Sequence, residues 1–130
     1  MIGDDHIALG IRGGIVLSAF VILFAFLGLS PELSWLPEVP LLVASIVVPL
    51  VGYSVSGFLA ARHSRRTGDG VVAGALAGIV SGLTGGLCFV LFGKSPLNVP
   101  VGVVLGCTAG GVWGAVGAIV SARSRRASRI

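Results

Sequence analysis

Four apolar runs, each about as long as a membrane span and none containing a charged residue, constrain this chain more than any other feature it has. They extend from about Gly13 to Leu29, Pro40 to Ala61, Val71 to Phe92 and Pro100 to Ala122. Crossing a hydrocarbon core of roughly 30 Å takes about 20 apolar residues in helical form. The first run starts as early as Ile7 if Arg12 extends its guanidinium to the headgroups. Residues 15–29 are apolar on nearly every face, so β-barrel alternation is absent and helices are the spanning structure to expect. Overall, 55% of the residues are apolar and 11% charged, against roughly 25% charged in a soluble domain. The reading is an all-α membrane protein, one four-helix transmembrane domain over residues 1–130, with little chain left for a soluble catalytic unit. A cleaved signal peptide is the rival for the first run. The acidic Asp4-Asp5 and the lack of an Ala-x-Ala site before Ser30-Pro31 argue against it.

Arginine placement sets the expected orientation. Arg12, then Arg62, Arg65 and Arg66, then Arg123, Arg125, Arg126 and Arg129 fall on one side of the four runs, and Lys94 falls on the other. Under the positive-inside rule, both termini and a middle loop over 62–69 are cytoplasmic in a cell membrane, with 30–39 and 93–99 outside. Trp35 then sits at the outer interface. The arginines of the middle loop and tail form a basic anchor, each worth roughly 1 kcal/mol against anionic headgroups, so the lipid surface is the expected partner. Topology accounts for these charges and no folded basic domain exists to read a groove, so nucleic acid is not expected.

The chain also repeats itself. Leu27-Gly28-Leu29-Ser30-Pro31 with Val39-Pro40 matches Phe92-Gly93-Lys94-Ser95-Pro96 with Val99-Pro100, and Ala61-Arg62-His63-Ser64-Arg65-Arg66 matches Ala122-Arg123-Ser124-Arg125-Arg126. We read two copies of one helical hairpin, about 1–66 and 67–130, as parallel repeats related by an axis along the membrane normal. Convergent use of Gly, Pro and Arg at membrane boundaries is the plainer alternative.

Glycine recurs at every fourth residue in the third run, at Gly70, Gly74, Gly78, Gly82 and Gly86, and in the fourth, at Gly102, Gly106, Gly110 and Gly114. Lipid tails provide no hydrophobic drive for helices to associate, so close packing relies on small residues that bring backbones together. Glycine also costs about 1 kcal/mol against alanine in an exposed helix interior, so these rows call for a compensating contact. They predict hairpins packed through glycine-zipper faces. A second small row, Ala73, Ala77, Ser81 and Gly85, suggests that the third helix has neighbours on both sides. The first helix, with Phe20, Leu23, Phe24, Phe26 and Leu27 in its outer half, is expected to be peripheral and to pack through Gly10, Gly14 and Ser18 at its cytoplasmic end. Pro49 frees the carbonyl of Ser45 and predicts a helix bend, with Gly52 placed to absorb it.

Residues able to do chemistry are few. No Asp, Glu, Lys, Arg or His lies inside the four runs, and such groups mark proton relays and ion-coupled sites. The small multidrug exporters and the small fluoride channels share this length, but the chain lacks the membrane-embedded glutamate of the former and the Asn and Thr-Phe-Ser signature of the latter. Cys88 and Cys107 form no Cys-x-x-Cys pair and read as packing thiols. His6 and His63 have no ligand-spaced partner, and His63 reads as part of a solvated basic loop. The hydroxyls of Ser18, Ser54, Ser56, Ser81, Thr84 and Thr108 lack a His or carboxylate to activate them. Trp113, mid-run, is expected to plug a groove left by glycines, or else to serve as a ligand platform. No catalytic, cofactor or metal residue is proposed from the sequence.

Gly52-Tyr53-Ser54-Val55-Ser56-Gly57-Phe58-Leu59, then Gly68-Asp69-Gly70 and Gly74-Ala75-Leu76-Ala77-Gly78, resembles the central hairpin of small uncharacterised four-span, glycine-rich membrane proteins frequent in halophilic archaea. The resemblance covers less than a third of the chain and implies no activity. Two function classes remain. One is a non-enzymatic scaffold or assembly subunit packing with itself or with a larger membrane complex. The other is a passive channel or small transporter formed by a homo-oligomer. The scaffold leads, because neither a charged ring nor a carbonyl filter is evident.

Overall fold

Each apolar run becomes one helix, and every helix outlasts its run at the arginine-bearing end. The computed structural model describes residues 4–130. Its helices are α1 (Asp5–Leu29), α2 (Glu38–Ser64), α3 (Thr67–Leu91) and α4 (Asn98–Ala127), with a single 3-10 turn at Pro31–Leu33. All four are long and apolar enough to cross a membrane. Hydropathy marks where the apolar segment stops, whereas in α2 and α4 backbone hydrogen bonding continues through residues 62–64 and 123–127. The expected loop over 62–69 is therefore only the turn Arg65–Arg66, and α4 runs five residues past Ala122 to Ala127.

The distribution of side-chain size is the reverse of a soluble core. The most buried residues are small: Ala60, Ala61, Ala73, Ala77 and Ala118, with Ser81 and Ser121, joined by Leu17 and Tyr53. The outer surface carries the bulk, including Ile15, Phe26, Leu42, Val104, Leu105 and Val112. Such a continuous apolar surface is incompatible with solution and suits lipid.

The helices form an up-and-down bundle in which α3 packs on α1 and, most extensively, on α4, while α2 packs on α4 and touches both α1 and α3. α1 and α4 occupy opposite corners. α1 lies beside α3 at matching depth, Gly10 against Ala73 and Gly14 against Ala77 and Val80. The expectation that α3 is buried and α4 lies against it agrees with their buried faces. α1 is not alone at the periphery, however. The buried residues of α2 all fall between Tyr53 and Ala61, so its first half is as exposed as any part of the bundle.

The two hairpin turns with matching sequence are built differently. Gly93 takes a left-handed φ of 78°, and the amides of Gly93 and Lys94 bond back to the carbonyls of Val90 and Phe89 at 3.0 and 2.9 Å. This is the double capping bond that lets glycine end a helix. Gly28, its sequence counterpart, remains helical, and α1 ends instead at Leu29, where the Ser30 amide bonds to Phe26 at 3.1 Å.

Candidate functional site

The two glycine rows face one another across the α3–α4 seam. A methyl group built on Gly78 would run into the carbonyl of Gly106 and approach the Gly110 Cα to 3.1 Å. One built on Gly74 would meet the Gly110 carbonyl and lie 2.6 Å from the Gly114 Cα, and Gly82 and Gly102 stand in the same relation. The row ends at Gly86, whose added Cβ would sit 2.6 Å from the Val99 Cα, and at Gly70, 2.6 Å from the Gly57 carbonyl oxygen. Every obstacle is backbone or a Cβ, so no side-chain rotation relieves it. The sequence also understated this surface: Gly57 and Gly117 bring α2 against α4 in the same way, Gly57 against Gly114 and Gly117 against Ser54.

Polar groups at membrane depth are hydroxyls, and most spend their bonds locally. Ser54 and Thr108 donate to carbonyls one turn back, at 3.1 and 2.8 Å. Ser18 and Thr84 pair across α1 and α3 at 2.8 Å, Thr84 also donating to the Val80 carbonyl at 2.9 Å. The deepest pair joins Tyr53 on α2 to Ser81 on α3, their oxygens 2.8 Å apart. Ser81 reaches the Gly78 carbonyl at 3.3 Å; with that proton committed, Tyr53 donates to Ser81. Sequence reading passed over Tyr53 as a polar anchor. Its signal was available: it is the only tyrosine and it falls mid-run, not at an interface where the residue usually sits.

The Tyr53–Ser81 pair forms the floor of a cleft of about 650 Å³ between α2 and the α3–α4 seam, walled by Pro49, Gly82, Gly86 and Gly102. A smaller cleft of about 350 Å³ opens on the other side of Pro49 toward Val21, Phe24 and Phe89. α2 remains helical through Pro49. An added Cβ at Gly52 would strike the side chain of Leu17, so Gly52 seats α1 on α2. Trp113 plugs no glycine groove: it is 39% exposed and lines an outward apolar cleft with Phe58 and Gly117. Cys88 and Cys107 are free and half-buried, less enclosed than packing thiols.

At the arginine-bearing end, Arg65 and Arg66 from the α2–α3 turn and Arg125, Arg126 and Arg129 from α4 line a cleft of about 750 Å³ together with Thr67, Gly68 and Asp69. Arg125 is held there by donating to the Ala61 carbonyl at 3.0 Å. Arg62 lies outside the cleft, its guanidinium 5.9 Å from the Phe58 ring centroid, and Arg123 is exposed. His63 belongs to the last turn of α2, not to a loop, and its Nε2 lies 3.0 Å from Asp5 Oδ2. Among the described residues no group of three His, Cys, Asp or Glu side chains converges. Comparison with protein-family models, curated proteins and solved structures finds no match to this chain.

Proposed function

We propose that the chain is a non-enzymatic membrane protein, a scaffold or assembly subunit, with both termini on the cytoplasmic side and its glycine rows serving to build one rigid bundle. The observation that carries this reading is the closeness of the α3–α4 seam. Backbone meets backbone along its whole length, which leaves no room for a path between α3 and α4. The hydroxyl pairs Tyr53–Ser81 and Ser18–Thr84 are bonded to each other and present no ordered ring of acceptors to an ion. A membrane partner, or a second copy, would meet valine, leucine and isoleucine on the exterior instead of glycine, because the glycine rows are turned inward.

Flux assays on purified protein in liposomes test the proposal. Ion and small-solute leakage should match that of protein-free vesicles. A saturable flux would replace the scaffold with the homo-oligomeric channel, with the Pro49 cleft as the place to look for its path. Orientation is tested separately: in a variant with Cys88 and Cys107 replaced by serine, a cysteine at Ser128 should resist an impermeant maleimide applied to intact cells. Ready labelling there would invert the topology.

A further inference from the structure

The positive-inside rule is met by lysine and arginine alike, yet every basic side chain at this end apart from histidine is arginine, eight in all, and the lone lysine, Lys94, lies at the other end. Five of the eight converge on one cleft from two separate segments. Among the described residues, Asp69 is the only carboxylate in that cleft and the one carboxylate bridge is His63–Asp5, elsewhere on the surface. The cleft therefore concentrates about four uncompensated positive charges, an arrangement that repels itself unless an anion is present. Arginine's planar fork matches the oxygens of a phosphate group two at a time. The first turn of α3 forms part of the wall through Thr67, Gly68 and Asp69, with no side chain capping its amides, and Gly68 leaves open space beside that backbone. Depth agrees with a headgroup ligand. At 1.5 Å per residue α4 is about 45 Å long, so its arginine-bearing turns project beyond a core of roughly 30 Å.

We infer that this cleft is a saturable site for one phosphate-bearing anion, held between Arg65 and Arg66 on the turn and Arg125, Arg126 and Arg129 on α4. This goes beyond diffuse attraction of the basic tail to a charged surface, and it does not rest on the scaffold reading. Both a phospholipid headgroup and free phosphate supply the required chemistry.

The test uses the full chain in dodecyl maltoside, which carries no phosphate. Short-chain phosphatidylglycerol, inorganic phosphate and oleate are titrated separately, with binding followed by calorimetry and thermal unfolding. Saturable binding of phosphatidylglycerol or phosphate at one per chain, with oleate much weaker, is expected; the tighter of the two identifies the source. Two double variants of equal net charge decide whether the cleft is responsible. Arg66→Gln with Arg126→Gln should weaken binding at least about tenfold, as expected for loss of charge-assisted hydrogen bonds. Arg62→Gln with Arg123→Gln, outside the cleft, should change it by less than about threefold, the screened contribution of exposed charges. Equal weakening by both pairs, equal binding of oleate, or no saturation would overturn the site and leave only diffuse attraction. Because both pairs are exposed arginines, both variants should fold as the parent does; without ligand the outer pair should unfold with the parent protein, and the cleft pair at the same or a slightly higher temperature because its loss relieves repulsion.

Discussion

The hairpins α1–α2 and α3–α4 are made from similar materials and packed in opposite ways. α1 and α2 are at least as apolar as α3 and α4, yet the second hairpin closes until carbonyls meet α-carbons, whereas the first leaves a cleft of about 510 Å³ near its turn, walled by Phe24, Leu27, Leu36 and Leu42. In water the greasier pair would be expected to close more tightly. In lipid, apolarity supplies no preference for protein over solvent, and the contact that can form depends on how near the backbones approach. Side-chain size at the seam, not hydropathy, separates the tight hairpin from the loose one.

The strongest way to break that comparison is to put bulk into the tight seam. A leucine at Gly78 or Gly110 meets backbone that cannot rotate away, so helices must separate and forfeit dispersion contacts along the groove. Overpacking of this kind costs about 1 to 3 kcal/mol. Each variant should unfold at lower temperature in detergent, whereas Leu23→Ala, at a side chain 51% exposed on α1, should shift it far less. Equal tolerance of all three would mean that the seam does not hold the bundle.

A milder contrast compares two glycines on α3. An alanine at Gly74 points at the backbone of Gly110 and Gly114, while at Gly85 its nearest neighbour is the Val21 Cγ1, 3.3 Å away, on a side chain able to adjust. Gly74→Ala should destabilise by about 1 kcal/mol, the low end of overpacking, and Gly85→Ala should be neutral or slightly stabilising through helix propensity. If Gly85→Ala proves the worse of the two in chemical unfolding, α1 and not α4 is the neighbour that α3 depends on.

How much of this was legible follows from which physics each feature obeys. Four helices were readable because span length is a local property of the sequence. The ends of the helices were not, since α4 continues through Arg123–Arg126 where hydropathy has already stopped. Turn conformation was not legible either: Gly28 and Gly93 are each followed by Ser-Pro two residues on, but only Gly93 adopts a left-handed conformation. The Tyr53–Ser81 bond and the five-arginine cleft join segments distant in sequence. No spacing rule on one helix could have paired them.

Tyr53 marks where α2 passes from its exposed first half to its packed second half, so its bond to Ser81 tests how firmly that boundary is pinned. Tyr53→Phe keeps the ring and deletes one interhelical hydrogen bond. Ser81 retains the Gly78 carbonyl at 3.3 Å, so no new unsatisfied donor is created. Interhelical bonds in membrane bundles average about 0.6 kcal/mol, and a loss of that size in unfolding free energy is expected. A loss several times larger would mean that the cleft above the pair collapses when the hydroxyl goes, and that the loose half of α2 depends on it.

The smallest effect is expected at Gly28, and there the sign carries the information. An added Cβ at Gly28 has nothing within 4 Å, and the residue is helical without a positive φ. Alanine is favoured over glycine by about 1 kcal/mol in a helix interior; one residue from the end of α1, roughly half of that should survive. Gly28→Ala should therefore stabilise slightly, by about 0.5 kcal/mol in detergent unfolding. The same substitution in lipid vesicles asks whether the α1–α2 hairpin is truly open. If the clefts around Gly28 persist in a bilayer, the gain persists, because a methyl group there meets only lipid. If instead lateral pressure closes α1 onto α2, the added methyl obstructs them, and the gain turns into a loss in vesicles alone. A reversal of sign between detergent and bilayer would show that the outer half of the first hairpin also packs through a glycine, and the contrast between the two hairpins near their turns would then belong to the detergent state only.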